Sequence, residues 1–173
     1  NNVTNNQPLD EIFHIKLNDY LKQFLIIGGM PEVVARFAQT RNLLDAQQIL
    51  DDLVISYKSD FIKYNKRVPS ERINEVFEAV SRQMGNKFTY TKASDNLSHI
   101  QIKEALQLLI LAGLVITVVH SSSNGIPLGA EIDSKKRKML ILDTGLFQRI
   151  LNLDLSLITI EDDLKLVNKG AIA

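Results

Sequence analysis

A mainly α protein with one small β-hairpin is what this sequence predicts, and three observations predict it. Apolar residues recur at spacings of three and four through most of the chain. A β-branched run, "VITVVH", and a second strand-like segment, "RKMLILD", flank a stretch rich in Ser, Gly and Asn. Gly and Pro fall between helical patterns, as in "LIIGGMPEVVARF" (Leu25 to Phe37), which is greasy on both sides and so reads as a packed corner, not a linker.

The elements follow in order. From Leu9 to Ile27, Ile12, Phe13, Ile15, Leu17, Leu21, Phe24 and Leu25 recur at mostly helical spacing. Gly28 is placed to end that helix in a conformation cheap only for glycine. Pro31 suits the first turn of the next helix, where its missing N–H has no partner to lose, and Glu32 favours the positive end of the dipole. That helix runs to about Gln39. A longer one spans Leu43 to about Tyr64, with Leu50, Leu53, Val54, Tyr57, Phe61 and Tyr64 as its apolar positions. In "VPSERINEVFEAVSRQM" Ser70 is the expected cap, Ile73, Val76, Phe77 and Val80 the buried stripe, and Gly85-Asn86 the end. "KFTYTKAS" is β-prone. Ser98 is the expected N-cap of a helix to Leu111, with Ile102, Ala105, Leu106, Leu109 and Ile110 inward and Gly113 closing it. "VITVVH", a loop from Ser121 to Lys136, "RKMLILD" and a short helix "TGLFQRIL", capped by Asp143, complete the readable part. Helix, β-prone segment, turn, helix, strand, long loop, strand is the order of a winged helix. The helix from Ser98 then takes the recognition position, and the loop is the wing.

Composition sets bounds on function. The 173 residues are 45% hydrophobic, enough for one domain or two small ones sharing a core. Twenty basic and 20 acidic residues cancel, so net charge points to no partner, nucleic acid included. Cys is absent, which excludes disulfides and Cys-ligated metal and fits a reducing, cytoplasmic setting. No run of apolar residues is long enough to predict a membrane span, and no signal peptide is evident. The ends, "NNVTNN" and "KGAIA", read as those of a fragment.

No catalytic constellation emerges. His14, His99 and His120 are scattered without ligand spacing. Phosphate-binding loops of the GxxxxGK[ST] or GxGxxG kind and a GxSxG elbow are missing. Asp51-Asp52 and Glu161 to Asp163 have the spacing of solvated helix faces. Two stretches remain. Lys135, Lys136, Arg137 and Lys138 form the one dense basic run and could meet phosphates from a wing, although a solvated hairpin shoulder is the simpler reading. The recognition-position helix carries His99, Gln101, Lys103, Glu104 and Gln107, a mixed set that favours protein contact over DNA. At the other stretch, Gly28, Gly29, Met30 and Pro31 either simply build a tight turn or let backbone approach a ligand closely, with Pro31 against a flat ring.

"GGMPEVVARF", "ISYKSDFIKY", "KFTYTKAS", "EALQLLILAGLVITVV", "IPL" and "KMLILDTGLF", in that order, resemble the region downstream of the ATPase core in prokaryotic AAA-type ATPases with a C-terminal domain of unknown function. The likeness runs from about Gly28 to the end, and the GGMPE and LDTGL segments are its sharpest parts. It implies a helical lid (residues 1–66), a winged-helix-like domain (67–150) and a linker (151–173) toward a further, nuclease-like domain. It also implies an ATP/Mg site in an upstream core whose Walker motifs are not in this sequence. Gly29-Met30-Pro31 match a Gly-x-Pro segment that touches adenine in related ATPases. The expected role is non-catalytic: coupling the nucleotide state of that core to a partner, with no ligand bound to this segment itself. Two alternatives stand beside it, a winged-helix DNA binder using Lys135 to Lys138, and a plain protein-interaction scaffold. Tyr57 and Asp60, three residues apart in "SYKSDF", share a helix face and suit a structural contact better than catalysis.

Overall fold

The computed structural model describes residues 10–64, 67–122 and 132–154. It is mainly helical with a small antiparallel hairpin, as the periodicities predict. Among the described residues there are six α-helices, α1 (Glu11–Ile27), α2 (Pro31–Thr40), α3 (Leu43–Asp60), α4 (Ser70–Arg82), α5 (His99–Leu111) and α6 (Thr144–Ile150), and two strands, β1 (Val115–Ser121) and β2 (Ile132–Ile141). A 3-10 turn at Phe61–Tyr64 extends α3, and another at Tyr90–Lys92 precedes α5.

Local chemistry explains most boundaries. Asp10, Asn42, Ser98 and Asp143 each accept a hydrogen bond from a first-turn backbone N–H of the helix that follows. At α5 this is a full capping box, because Gln101 reaches back to the Ser98 N–H at 2.9 Å. The expected Ser70 cap is corrected: Pro69 holds the N-cap position and Ser70 is already helical, since the fixed φ of proline sets the extended entry. The backbone of "KFTYTKAS" meets the sheet at Phe88, whose N–H donates to the Arg137 carbonyl at 2.9 Å, before the chain turns into the 3-10 segment.

The hairpin differs from expectation at its start. β2 begins at Ile132, so Ile132 to Lys136 are strand where a wing loop was predicted. Val115 to Val119 pair with Ile141 to Arg137 in regular register; a bulge after Val119 then sets His120 opposite Asp133. The rest of the predicted wing, residues 123–131, lies outside the described residues, as does the tail from 155.

One apolar core runs through both halves of the chain. Ile26, Ile27, Val33, Phe37 and Leu50 belong to it together with Ile73, Val76, Phe77, Ile102, Leu109, Met139 and Phe147. α6 is its keystone, packing against α1, α3, α4 and β2. Phe77, 1% exposed, meets the Phe61 ring edge-on at 5.8 Å. Arg149 joins α6 to α3 through Asp51 at 2.7 Å. Apart from Ile26 and Ile27, much of the apolar face of α1 stays outside this core. Phe13, Leu17, Tyr20, Leu21 and Phe24 share one stripe of that helix, and each is about half exposed or more. Ile110, expected inward, lies at the edge of the core at 37% exposure.

The interlocked glycine corner, a candidate functional site

The GGMPE and LDTGL segments, more than a hundred residues apart in sequence, meet in space. α1 ends where the Gly28 N–H donates to the Phe24 carbonyl at 2.8 Å. Gly28 then takes φ 76° and ψ −167°, a region that residues with a Cβ avoid. The helix stops abruptly, Gly29 and Met30 turn the chain, and Pro31 starts α2 as its first residue with Glu32 beside it.

Asp143 fills the inside of this turn. One carboxylate oxygen caps α6 by accepting from the Leu146 N–H at 3.0 Å. The other accepts from the Gly29 N–H at 2.6 Å. A charged acceptor shared between two backbone donors makes short, strong bonds. Around it, the Thr144 hydroxyl donates to the Phe24 carbonyl at 3.2 Å, and the Gln148 amide donates to the Leu25 carbonyl. So α6 side chains satisfy the Leu25 carbonyl, which the end of α1 leaves open, and add a second donor to the Phe24 carbonyl.

The glycines follow from this closeness. A Cβ on Gly28 would stand 2.1 Å from an Asp143 carboxylate oxygen, and a Cβ on Gly145 would stand 2.3 Å from the Ile27 carbonyl oxygen. Close backbone approach was expected at this corner toward a ligand; the group that approaches Gly28 is the carboxylate of Asp143. Gly28 is buried, Met30 half-buried, and Gly29 and Pro31 exposed, so only the latter part of the predicted set faces outward. Sequence reasoning found Asp143 as a cap and missed its second bond. The available signal was that GGMPE and LDTGL were the two sharpest motifs, which would follow if they touch.

The basic run is dispersed. Lys135 and Lys136, expected on the loop, lie on β2 like Arg137 and Lys138, and in the regular part of the ladder Arg137 and Lys138 point to opposite faces. Arg137 lies over the Tyr90 ring at 5.1 Å and donates to its hydroxyl, and Lys136 is 3.7 Å from Asp133. Lys138 is exposed. Of the "SYKSDF" pair, Asp60 pairs with Lys63 at 2.6 Å, and both Tyr57 and Asp60 line a cavity of about 250 Å³ with Phe61, Ile73, Leu108, Ala112 and Leu114. Among the described residues no group of three or more His, Asp or Glu is placed to hold a metal ion. No described helix is long and apolar enough to cross a membrane.

Searches of curated proteins and of solved structures give no match to the chain. A family model does match, over residues 18–157, a span that takes in the glycine corner, the hairpin and α6 together. On that coverage the chain belongs to the family described as a domain of unknown function, DUF8612.

Proposed function

We propose that this chain is a non-catalytic coupling module of an AAA-type ATP-binding protein. In this reading α1 to α3 form a lid against an ATPase core. The unit from α4 to β2, in winged-helix order, passes the nucleotide state of that core to a protein partner. The observation that carries the reading is the Asp143 clamp. One carboxylate joins the Gly29 N–H to the start of α6, and Asp143 follows β2 by a single residue. A shift of the corner is thereby mechanically tied to the hairpin. Energetic coupling between distant sites needs a physical connection of this kind.

Two features support the rest. Gly29 and Pro31 stay exposed on the outside of the turn, where a nucleotide base bound to a neighbouring core could be reached. The exposed stripe of α1 lies next to them and is apolar enough to pack on such a core. ATP and Mg belong to that core, and Met30 and Pro31 would contribute only the edge of its pocket. A protein partner is favoured over nucleic acid because Arg137 is held over the Tyr90 ring and Lys136 lies beside Asp133.

The test uses a chain that includes the nucleotide-binding core. Pro31→Ala is expected to weaken ATP affinity by about fivefold or more, the lower range of ordinary coupling energies. Nucleotide is expected to change amide exchange in residues 115–121, and Asp143→Ala to abolish that change while ATP affinity stays the same. Unaltered ATP affinity in Pro31→Ala, with exchange indifferent to nucleotide, would refute the proposal. So would an upstream coding sequence without a phosphate loop.

A further inference from the structure

Among the described residues, the hairpin has one covered edge and one open edge. In an antiparallel pair, residues alternate between turning their backbone N–H and C=O toward the partner strand and away from it. The Leu142 N–H donates to the Leu114 carbonyl at 3.1 Å, which fixes that alternation. With Ile116 opposite Leu140 and Val118 opposite Lys138, those residues bond across the hairpin. Val115, Thr117 and Val119 on β1, and Arg137, Met139 and Ile141 on β2, therefore turn outward. Phe88 confirms the assignment on the β2 side, because its N–H meets the Arg137 carbonyl. On the β1 side, the outward groups of Thr117 and Val119 meet nothing among the described residues.

The chemistry of this edge specifies what can cover it. A row of alternating donors and acceptors is satisfied only by another extended backbone. Natural edge strands are usually guarded by Lys, Pro or an inward charge. β1 reads "VITVVHS" and has none of these, and Ile116 (50% exposed), Val118 (44%) and Val119 (39%) are open. An uncharged, β-branched strand is the complement, and β1 itself is such a strand.

We propose that β1 is a self-pairing edge, on which β1 of a second copy of this chain adds antiparallel. Outward residues must face outward residues, and this sets the register. Thr117 lies opposite Val119 of the second copy and Val119 opposite its Thr117, giving four backbone hydrogen bonds. Val118 sits on the two-fold axis against its own equivalent, and Ile116 meets His120 of the second copy. The arrangement is isologous and closes at two copies. It makes a four-stranded sheet across the dimer with the Phe88 segments outermost. The α1 stripe is the other apolar surface, but it presents no directional groups that would name its occupant.

Sedimentation velocity over about 10 to 1,000 µM covers the affinity range of a small interface. The 173-residue chain is expected to show a monomer–dimer equilibrium. Val118→Lys sets two like charges across the axis and is expected to weaken dimerisation at least tenfold. Val119→Pro removes an outward N–H without touching a bond of the hairpin, and is expected to abolish the dimer while the circular dichroism spectrum stays unchanged. Leu17→Lys, on the α1 stripe, is expected to leave the equilibrium as it was. A chain that stays monomeric throughout overturns the proposal. So does a dimer that survives both β1 substitutions or is lost with Leu17→Lys.

Discussion

Replacing Asp143 by alanine tests the central physical claim about this fold, that one carboxylate holds two distant segments together. Asp143 is 9% exposed and accepts from Gly29 at 2.6 Å and Leu146 at 3.0 Å. Hydrogen bonds to a charged group contribute about 1.5–3 kcal/mol each. Loss of both sets a ceiling of about 6 kcal/mol, but Gly29 is exposed and water replaces part of its bond, which brings the expected cost to about 3 kcal/mol. An ordinary N-cap is worth only about 1 kcal/mol. Urea denaturation followed by circular dichroism separates the two values. A chain of this size loses roughly 2–4 °C of melting temperature per kcal/mol, so a drop of about 6–12 °C is expected. Asp143→Asn keeps one acceptor and turns an amide toward a donor, so it should fall between wild type and alanine. A cost of about 1 kcal/mol or less for Asp143→Ala would mean that the bond to Gly29 contributes nothing, and the clamp would have to be abandoned.

The remaining predictions concern the same corner and its surroundings. Gly28→Ala should cost at least about 2 kcal/mol, because it combines a positive φ with a collision. Its cost should shrink in an Asp143→Ala background, where the collision is gone, a non-additivity that a double-mutant cycle reads directly. Gly145→Ala drives a methyl group onto the Ile27 carbonyl, and about 1–3 kcal/mol of destabilisation is expected in thermal melts. Phe77→Ala should cost about 3–5 kcal/mol, whereas Leu17→Lys on the exposed stripe should stay within about 0.5 kcal/mol; equal effects would mean that α1 is packed in solution. Neutralising Lys136 and Lys138 should leave any weak association with DNA oligomers little changed between low and moderate salt. A steep salt dependence that disappears in that variant would restore the nucleic-acid reading.

Local signals in the sequence sufficed at most positions where a residue acts on its own neighbours. Ser98 ahead of α5, Pro31 at the start of α2, and Asp143 ahead of α6 sit where helix-end chemistry puts them, because its requirements are met within one turn. The stripes of α4 and α5 were legible for the same reason: three- and four-residue spacing builds a face whatever lies opposite. That logic failed at Ser70, where the rigid ring of Pro69 decides the helix start, and at Ile132 to Lys136, where a bulged strand replaces the predicted loop.

What the sequence by itself determined was the run of helices, their caps and the existence of a hairpin, since these depend on interactions a few residues long. Only the tertiary structure decided that α1 would hold an apolar stripe in the open, that β1 would have no strand beyond β2 beside it among the described residues, and that Asp143 would reach Gly29 across 114 positions. Spacing shows which side of an element is apolar but not what will cover it. A carboxylate with two acceptor oxygens looks the same in sequence whether it serves one backbone donor or two.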